Sequence, residues 1–258
     1  MLHQLATLLD LSQDALLVAF AVFLRVSGAQ IGFPAFGHEA VPQRVRLVIA
    51  FAFTLIVFPM VSQNFSHAFS DDRQVVRVLA GELVIGLVFG LVMRLFVLAL
   101  QTAGTIAAQA ISLSQLFGGT AGEPQPVVGH LFTTGALAFA VMMDLHVHLA
   151  QAIIQSYDFL PAGAIPQAED VKEWGLVSIA KTFSLAFVLA APFLIASVVY
   201  NVALGAINKA MPQLMVAMVG APAITAGGLI LLMLCVPTGI VIWHQRLISF
   251  LANPLGAW

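Results

Sequence analysis

Long apolar runs alternate with short stretches rich in proline, glycine and charge along this chain. The runs are Ala15–Leu24, Leu47–Met60, Leu83–Leu100, Leu131–Met143, Thr182–Ile207 and Ala223–Trp243. Their lengths and lack of strict alternation predict helices. A helix that crosses a bilayer alone needs about 20 consecutive apolar residues. The first, second and fourth runs fall short of that, and the third carries Arg94, which is costly at a bilayer centre unless it is paired or faces a cavity. The pattern therefore predicts an all-α, membrane-associated chain of about six to eight helices. Kinked or broken helical hairpins are expected, with helices buried largely against protein.

The breaks between runs sharpen this outline. After Arg25, Pro34 and Pro42 with Gly28, Gly32 and Gly37 predict a structured loop. Ser70 reads as an N-cap followed by Asp71 and Asp72, whose charge suits the positive end of a helix. Gly86 and Gly90 form a G-x-x-x-G that permits close approach of a second helix. An unbroken helix from Asp71 to Leu116 would be about 69 Å long at 1.5 Å per residue, so a kink or break is expected near Gly104. The Leu131–Tyr157 stretch should stop before Pro161 and Pro166, and Pro192, Pro212, Pro222 and Pro237 should interrupt the later helices. No repeat or low-complexity linker is present, which reads as one domain.

Composition settles the solvent. The chain is 60% hydrophobic and 9% charged, against about 45–50% and about 25% in ordinary soluble domains. Its surface must face lipid, other subunits, or both. A net charge of −2 excludes a basic nucleic-acid surface. The single Cys235 lies in an apolar run and reads as packing. The N-terminal stretch carries Asp10 and Asp14 but no Lys or Arg, unlike a secretory signal. The connection from Arg25 to Arg46 holds three Arg against one Glu, which places it on the cytoplasmic side and the N-terminus outside.

One stretch stands apart. Gln101, Thr105, Gln109, Ser112 and Gln115 are spaced 4, 4, 3 and 3 apart, which puts them on about a third of a helix circumference. Ala103, Ala107, Ala110 and Leu113 occupy the other faces, and no residue from Leu95 to Gly122 is ionisable. The helix then gives way to Leu116 and Phe117, Gly118 and Gly119, and a turn at Gly122-Glu123-Pro124. Two readings stay open on these residues. The uncharged polar groups could join helices by hydrogen bonds, or they could line a passage with an apolar, flexible stopper at its end.

No catalytic centre emerges. Asp144, His146 and His148 are the best acid–base or metal candidates, but residues two apart on a helix point nearly opposite ways. They read instead as a helix end or a contact with another subunit. Ser112 and Ser114 have no nearby partners for nucleophilic chemistry. Glu82, Arg94, Lys181 and Lys209 are isolated charges near apolar runs, either a transport relay or groups neutralised by another subunit or at the interface. Met211, Met215 and Met218 share a helical face and read as adaptable core. No enzyme activity, metal or cofactor is predicted.

Taken in order, these pieces resemble the FliR family, the R subunit of the flagellar type III export gate, with its injectisome relatives. Arg25 with Gly32–Gly37 and Val41-Pro42 is similar to the family's early loop. Glu82, Gly86 and Gly90 resemble its third helix, and Ala103, Gly104, Gln109 and Ser112 the continuation. Pro126, Asp144 with His146, and Pro161 with Gly163 resemble its middle. The most specific similarity is Asn208-Lys209-Ala210-Met211-Pro212-Gln213 followed by Gly220 and Pro222. Lys209 stands where arginine is common, and Gly118–Gly122 replaces an F-D-P-like turn.

The resemblance implies a structural gate subunit in a helical, pore-forming assembly with several P- and Q-type subunits, in contact with B- and A-type export-gate subunits. It implies a P-like part over about residues 1–175 and a Q-like hairpin over about 176–258. Unfolded export proteins would be the cargo. The setting would be the bacterial inner membrane at the base of the flagellum, raised toward the periplasm and contacting lipid, with no nucleic acid. Leu113, Leu116, Phe117, Gly118 and Gly119 would form a pore plug, and the polar stripe its lining. The alternative is a stand-alone secondary transporter or channel. It would need an inverted repeat and a charged mid-membrane site, and neither is evident.

Overall fold

The computed structural model describes residues 2–65, 69, 72–110, 127–211, 216–254 and 256, and all regular structure among them is helical. Seven α-helices follow one another: α1 Leu2–Gln30, α2 Gln43–Val61, α3 Asp72–Ala110, α4 Val127–Met142, α5 Leu145–Phe159, α6 Ala168–Ala210 and α7 Val216–Ala252. A short 3-10 turn, Ser62–Phe65, continues α2.

α1 and α2 each bury one stripe within the chain and leave apolar side chains exposed on other faces. In α1 the buried positions are Val18, Ala21, Val22, Arg25, Val26 and Ala29, while Leu16 and Phe20 on the other face stay exposed. In α2, Ala50, Phe53, Thr54, Val57 and Val61 are buried, and Val48, Leu55, Ile56 and Met60 are exposed. The spacing i, i+3, i+4, i+7 on the buried side is that of a helix packed along one face. The remaining apolar faces need lipid or other subunits to cover them.

Among the described residues, four stretches are long and apolar enough to cross a membrane: Gln43–Phe65, Gln74–Ala110, Ala168–Ala210 and Ala226–Ala252. The α4–α5 pair, bent by 78°, makes a fifth candidate as a broken span. At most 50% of the most apolar 18-residue part of any of the four is buried inside the chain. The expected burial against protein therefore does not come from this chain's own packing.

Three expectations about breaks are corrected. α3 continues as helix through Gly104, about 58 Å at 1.5 Å per residue, so the chain does not break there. Pro192 lies inside α6, and Pro222 and Pro237 lie inside α7, so none of them ends its helix. Proline removes one backbone donor and crowds the preceding turn, a local cost that the long apolar helices on either side absorb. By contrast, Leu131–Tyr157 divides at Asp144, a left-handed residue (φ 57°, ψ 35°) that ends α4 and begins α5. Asp tolerates that conformation better than most residues.

Contacts divide the chain into two units: Met1–Leu95 with Val141–Ser178 and Ile248–Trp258, and Phe96–Ala140 with Ile179–Leu247. In the first, α1, α2, α5 and the first part of α3 pack together. Phe33, from the loop after α1, is buried against the edge of Phe53 with ring centroids 5.9 Å apart. Gln30 Nε2 donates to the Arg46 carbonyl at 2.9 Å and ties the two ends of that loop together. In the second unit the indole of Trp243, fully buried in α7, donates to the Phe96 carbonyl at 2.9 Å. A buried indole N–H needs such a partner.

Candidate functional site

Within the second unit, the last turns of α3 carry the described part of the polar stripe. Gln101 and Gln109 are exposed and Thr105 is half-buried. Ala103 and Ala107, on the opposite side, are fully buried. That side is held by a close crossing of α3 and α4: a Cβ on Gly104 would overlap the Gly129 backbone. The Thr105 hydroxyl donates to the Gln101 carbonyl one turn back at 2.9 Å, a bond that satisfies it without any neighbour. The side-chain amides of Gln101 and Gln109 are therefore the uncharged polar groups this face presents outward.

The rest of the stripe, Ser112 and Gln115, lies outside the described residues, as do Leu113, Leu116, Phe117, Gly118 and Gly119. Of the later motif, Asn208 is exposed in the last turn of α6, with Lys209 beside it at the negative helix end. Pro212 and Gln213 fall outside the described residues, between the end of α6 and the start of α7. Gly220 and Pro222 lie in the first turns of α7. Met211 is exposed, Met215 is outside the described residues, and Met218 falls in the first turn of α7.

The first unit holds a polar centre that sequence reasoning recognised only in fragments. Arg25 and Glu82 are both buried and form an ion pair in an otherwise apolar core. Arg25 Nε donates to Glu82 Oε2 at 2.6 Å and its Nη2 to Oε1 at 3.1 Å, the bidentate arrangement of guanidinium on carboxylate. Arg25 also donates to Ser156 Oγ at 3.0 Å and to the Leu160 carbonyl at 3.0 Å. Its guanidinium lies 3.6 Å from the centroid of the Tyr157 ring. Glu82 accepts two further bonds, from the Tyr157 hydroxyl and from the Gly163 amide, both at 3.1 Å.

Each part of the sequence motif thus has a mechanical task. Pro161 follows the end of α5, and Gly163 takes φ +72°, which turns its amide onto the carboxylate; a Cβ there would come within 2.8 Å of Val78. Two corrections follow. Glu82 is neutralised inside the chain, not by another subunit or at the interface. Arg25 belongs to α1 and is compensated, and Arg44 and Arg46 fall in the first turn of α2, so the connection itself carries Glu39 and no Lys or Arg. Ser156 and Tyr157 were missed; both fall in an apolar-periodic helix where polar residues pass for its outer face.

Gly86 and Gly90 make the α1–α3 crossing next to this pair. A Cβ on Gly86 would overlap the Arg25 carbonyl, and one on Gly90 would lie 2.6 Å from the Ala29 carbonyl. On the other side of the contact, a Cβ on Gly32 would overlap the Gly90 backbone. The approach is of backbone to backbone, so no side chain can yield. Gly90→Leu should lower the amount of folded chain in the membrane severalfold, since overpacking costs about 1–3 kcal/mol even where side chains can shift. Gly227→Leu, at a position with nothing within 4 Å, is the control. Equal amounts of both variants, measured by fluorescence-detected size exclusion, would refute the close contact.

Asp144 is exposed at the α4–α5 bend, with His146 exposed and His148 half-buried on the following turn. Among the described residues, no group of three or more His, Cys, Asp or Glu side chains is placed to hold a metal ion. This motif marks a bend in the chain.

The sequence matches a family described as "Bacterial export proteins, family 1" over residues 16–249. Similar proteins include the "Flagellar biosynthetic protein FliR" of Caulobacter vibrioides, 31% identical over 231 residues that cover 89% of this chain and 92% of the relative. The proteins of the same name from Bacillus subtilis and Escherichia coli are 28% and 27% identical, covering 86% and 92% of this chain and 86% and 90% of their own lengths. With a family match across nearly the whole sequence and full-length relatives at this identity, the chain belongs to the FliR family of bacterial export proteins, a family of non-enzymatic membrane proteins.

Proposed function

We propose that this chain is a structural gate subunit of a type III protein export apparatus in the bacterial inner membrane. It would build, with P- and Q-type subunits, the channel through which unfolded flagellar proteins leave. B- and A-type subunits would contact the assembly, which stands at the base of the flagellum and is raised toward the periplasm. About residues 1–175 would act as a P-like part and about 176–258 as a Q-like hairpin.

The observation that carries this reading is the exposed, uncharged face of the last turns of α3, from Gln101 onward. Gln101 and Gln109 point away from the chain's own packing, and the helix leads directly to residues 111–126. A neutral lining suits cargo of varied charge, because fixed charges would hold some segments and repel others. An apolar loop hinged on glycine can close a passage by dewetting and yield to a chain pushed through it. The sequence has no phosphate-binding loop of the Walker type, so energy would come from another subunit.

Co-purification tests the reading. Solubilised from membranes of cells that express the whole apparatus, the chain should emerge with P- and Q-type partners in one particle. A monodisperse single chain in mild detergent would favour a transporter that acts alone. Pro212→Ala should reduce recovery of that particle, if Pro212 stops a helix there and Gln213 satisfies backbone groups freed by the stop. Normal recovery with export intact would count against that role.

A further inference from the structure

Arg94 is the one ionisable residue between Glu82 and Glu123. It is exposed on α3, although Val92, Met93 and Phe96 beside it are buried. Leu91 and Leu98, at i−3 and i+4, share its outward face and are 60% and 39% exposed. No ion pair or hydrogen bond joins Arg94 to any described residue. The carboxylate on the same helix, Glu82, already has all its acceptor positions filled by Arg25, Tyr157 and Gly163.

Arg94 lies near the middle of Gln74–Ala110, a stretch long and apolar enough to cross a membrane. At 1.5 Å per residue it is about 18 Å from Glu82 and about 24 Å from Ala110, where α3 ends. Both distances exceed the reach of an arginine side chain, so in a membrane-spanning α3 Arg94 cannot snorkel to either of these points. A lone cation at that depth costs several kcal/mol, and such groups in membrane proteins face a partner or a cavity.

We propose that Leu91, Arg94 and Leu98 form a docking face for a helix of a neighbouring subunit, one that presents an aspartate or glutamate within an apolar surface. The flanking leucines exclude water and lipid from the pair, which makes the contact both strong and selective. The inference rests on the export-gate reading and adds to it the chemistry of one partner surface.

The test compares Arg94→Leu, Arg94→Lys and the unmutated chain, each expressed with the other gate subunits and again alone. Arg94→Leu should lower recovery of the complex about tenfold or more, as loss of one member of a desolvated pair does. Arg94→Lys should retain more complex than Arg94→Leu, and the amount of chain made alone should be equal for all three. A photo-crosslinker at Leu98 should then yield an adduct with another gate subunit.

Wild-type recovery of Arg94→Leu would overturn the inference, as would equal losses for Leu and Lys or an equal loss of the chain expressed alone. Crosslinks to phospholipid only would also overturn it. If the unmutated chain brings down no partner at all, the export-gate reading itself fails, an outcome distinct from any result of the Arg94 variants.

Discussion

Glu82→Ala should remove most of the folded chain from the membrane. The substitution leaves Arg25 buried with its charge uncompensated, and breaking a buried pair from one side costs about 3–5 kcal/mol. That is a large share of the about 5–15 kcal/mol by which a typical domain is stable. The loss should appear in the chain expressed alone, because every group at the centre belongs to this chain. Smaller effects grade below it. Tyr157→Phe keeps the ring under the guanidinium but removes one hydrogen bond to Glu82, a cost of about 1 kcal/mol.

A paired replacement separates charge from shape at the same centre. Arg25→Met with Glu82→Leu leaves no buried charge, and such exchanges are often neutral or stabilising. Here the Leu160 carbonyl, the Tyr157 hydroxyl and the Gly163 amide would each lose a partner, so recovery should be partial, above Glu82→Ala and below the unmutated chain. Retention of wild-type thermal stability by Glu82→Ala, read by fluorescence-detected size exclusion after heating, would show that the pair does not hold α1, α3 and α5 together.

This centre also marks how far sequence reasoning reached. The helices themselves were legible, because apolar runs and helical spacing need no tertiary context. The G-x-x-x-G of Gly86 and Gly90 and the turn at Pro161 and Gly163 were visible as motifs. What they do could not be read, since Arg25, Glu82 and Tyr157 are separated by 57 and 75 residues along the chain. Ion pairing of that kind leaves no periodic trace. The bend at Asp144 was only half legible: the apolar run passes through it, and a single left-handed residue makes the turn. The prolines misled in the opposite direction, because Pro192, Pro222 and Pro237 were weighted as stops although long apolar helices continue through them. For the stripe on α3, spacing alone placed Gln101, Thr105 and Gln109 on one face, and their exposure came from the packing of Ala103, Gly104 and Ala107 on the other.

Deleting Leu116–Gly119 should make the inner membrane leaky to small ions or solutes while leaving the export complex assembled. The expectation starts from Leu116 and Phe117, an apolar pair that follows the polar stripe in the sequence and precedes Gly118, Gly119 and Gly122. Glycine brings backbone freedom to a chain, and three of them fall within the five positions 118–122. If Phe117 closes the passage, its removal takes away the apolar barrier without touching the helices of the wall. The described part of α3 supports this separation: its close approach to α4 runs through Gly104 and Gly129. A Phe117 buried in a structural core would behave differently, because truncating a core phenylalanine costs about 3–5 kcal/mol and should reduce the amount of complex. Complex yield and membrane conductance, measured side by side in the same cells, distinguish the two. Normal yield with raised conductance supports the stopper, whereas reduced yield without a leak would make this loop a packing element and leave the closed state of the gate to other subunits.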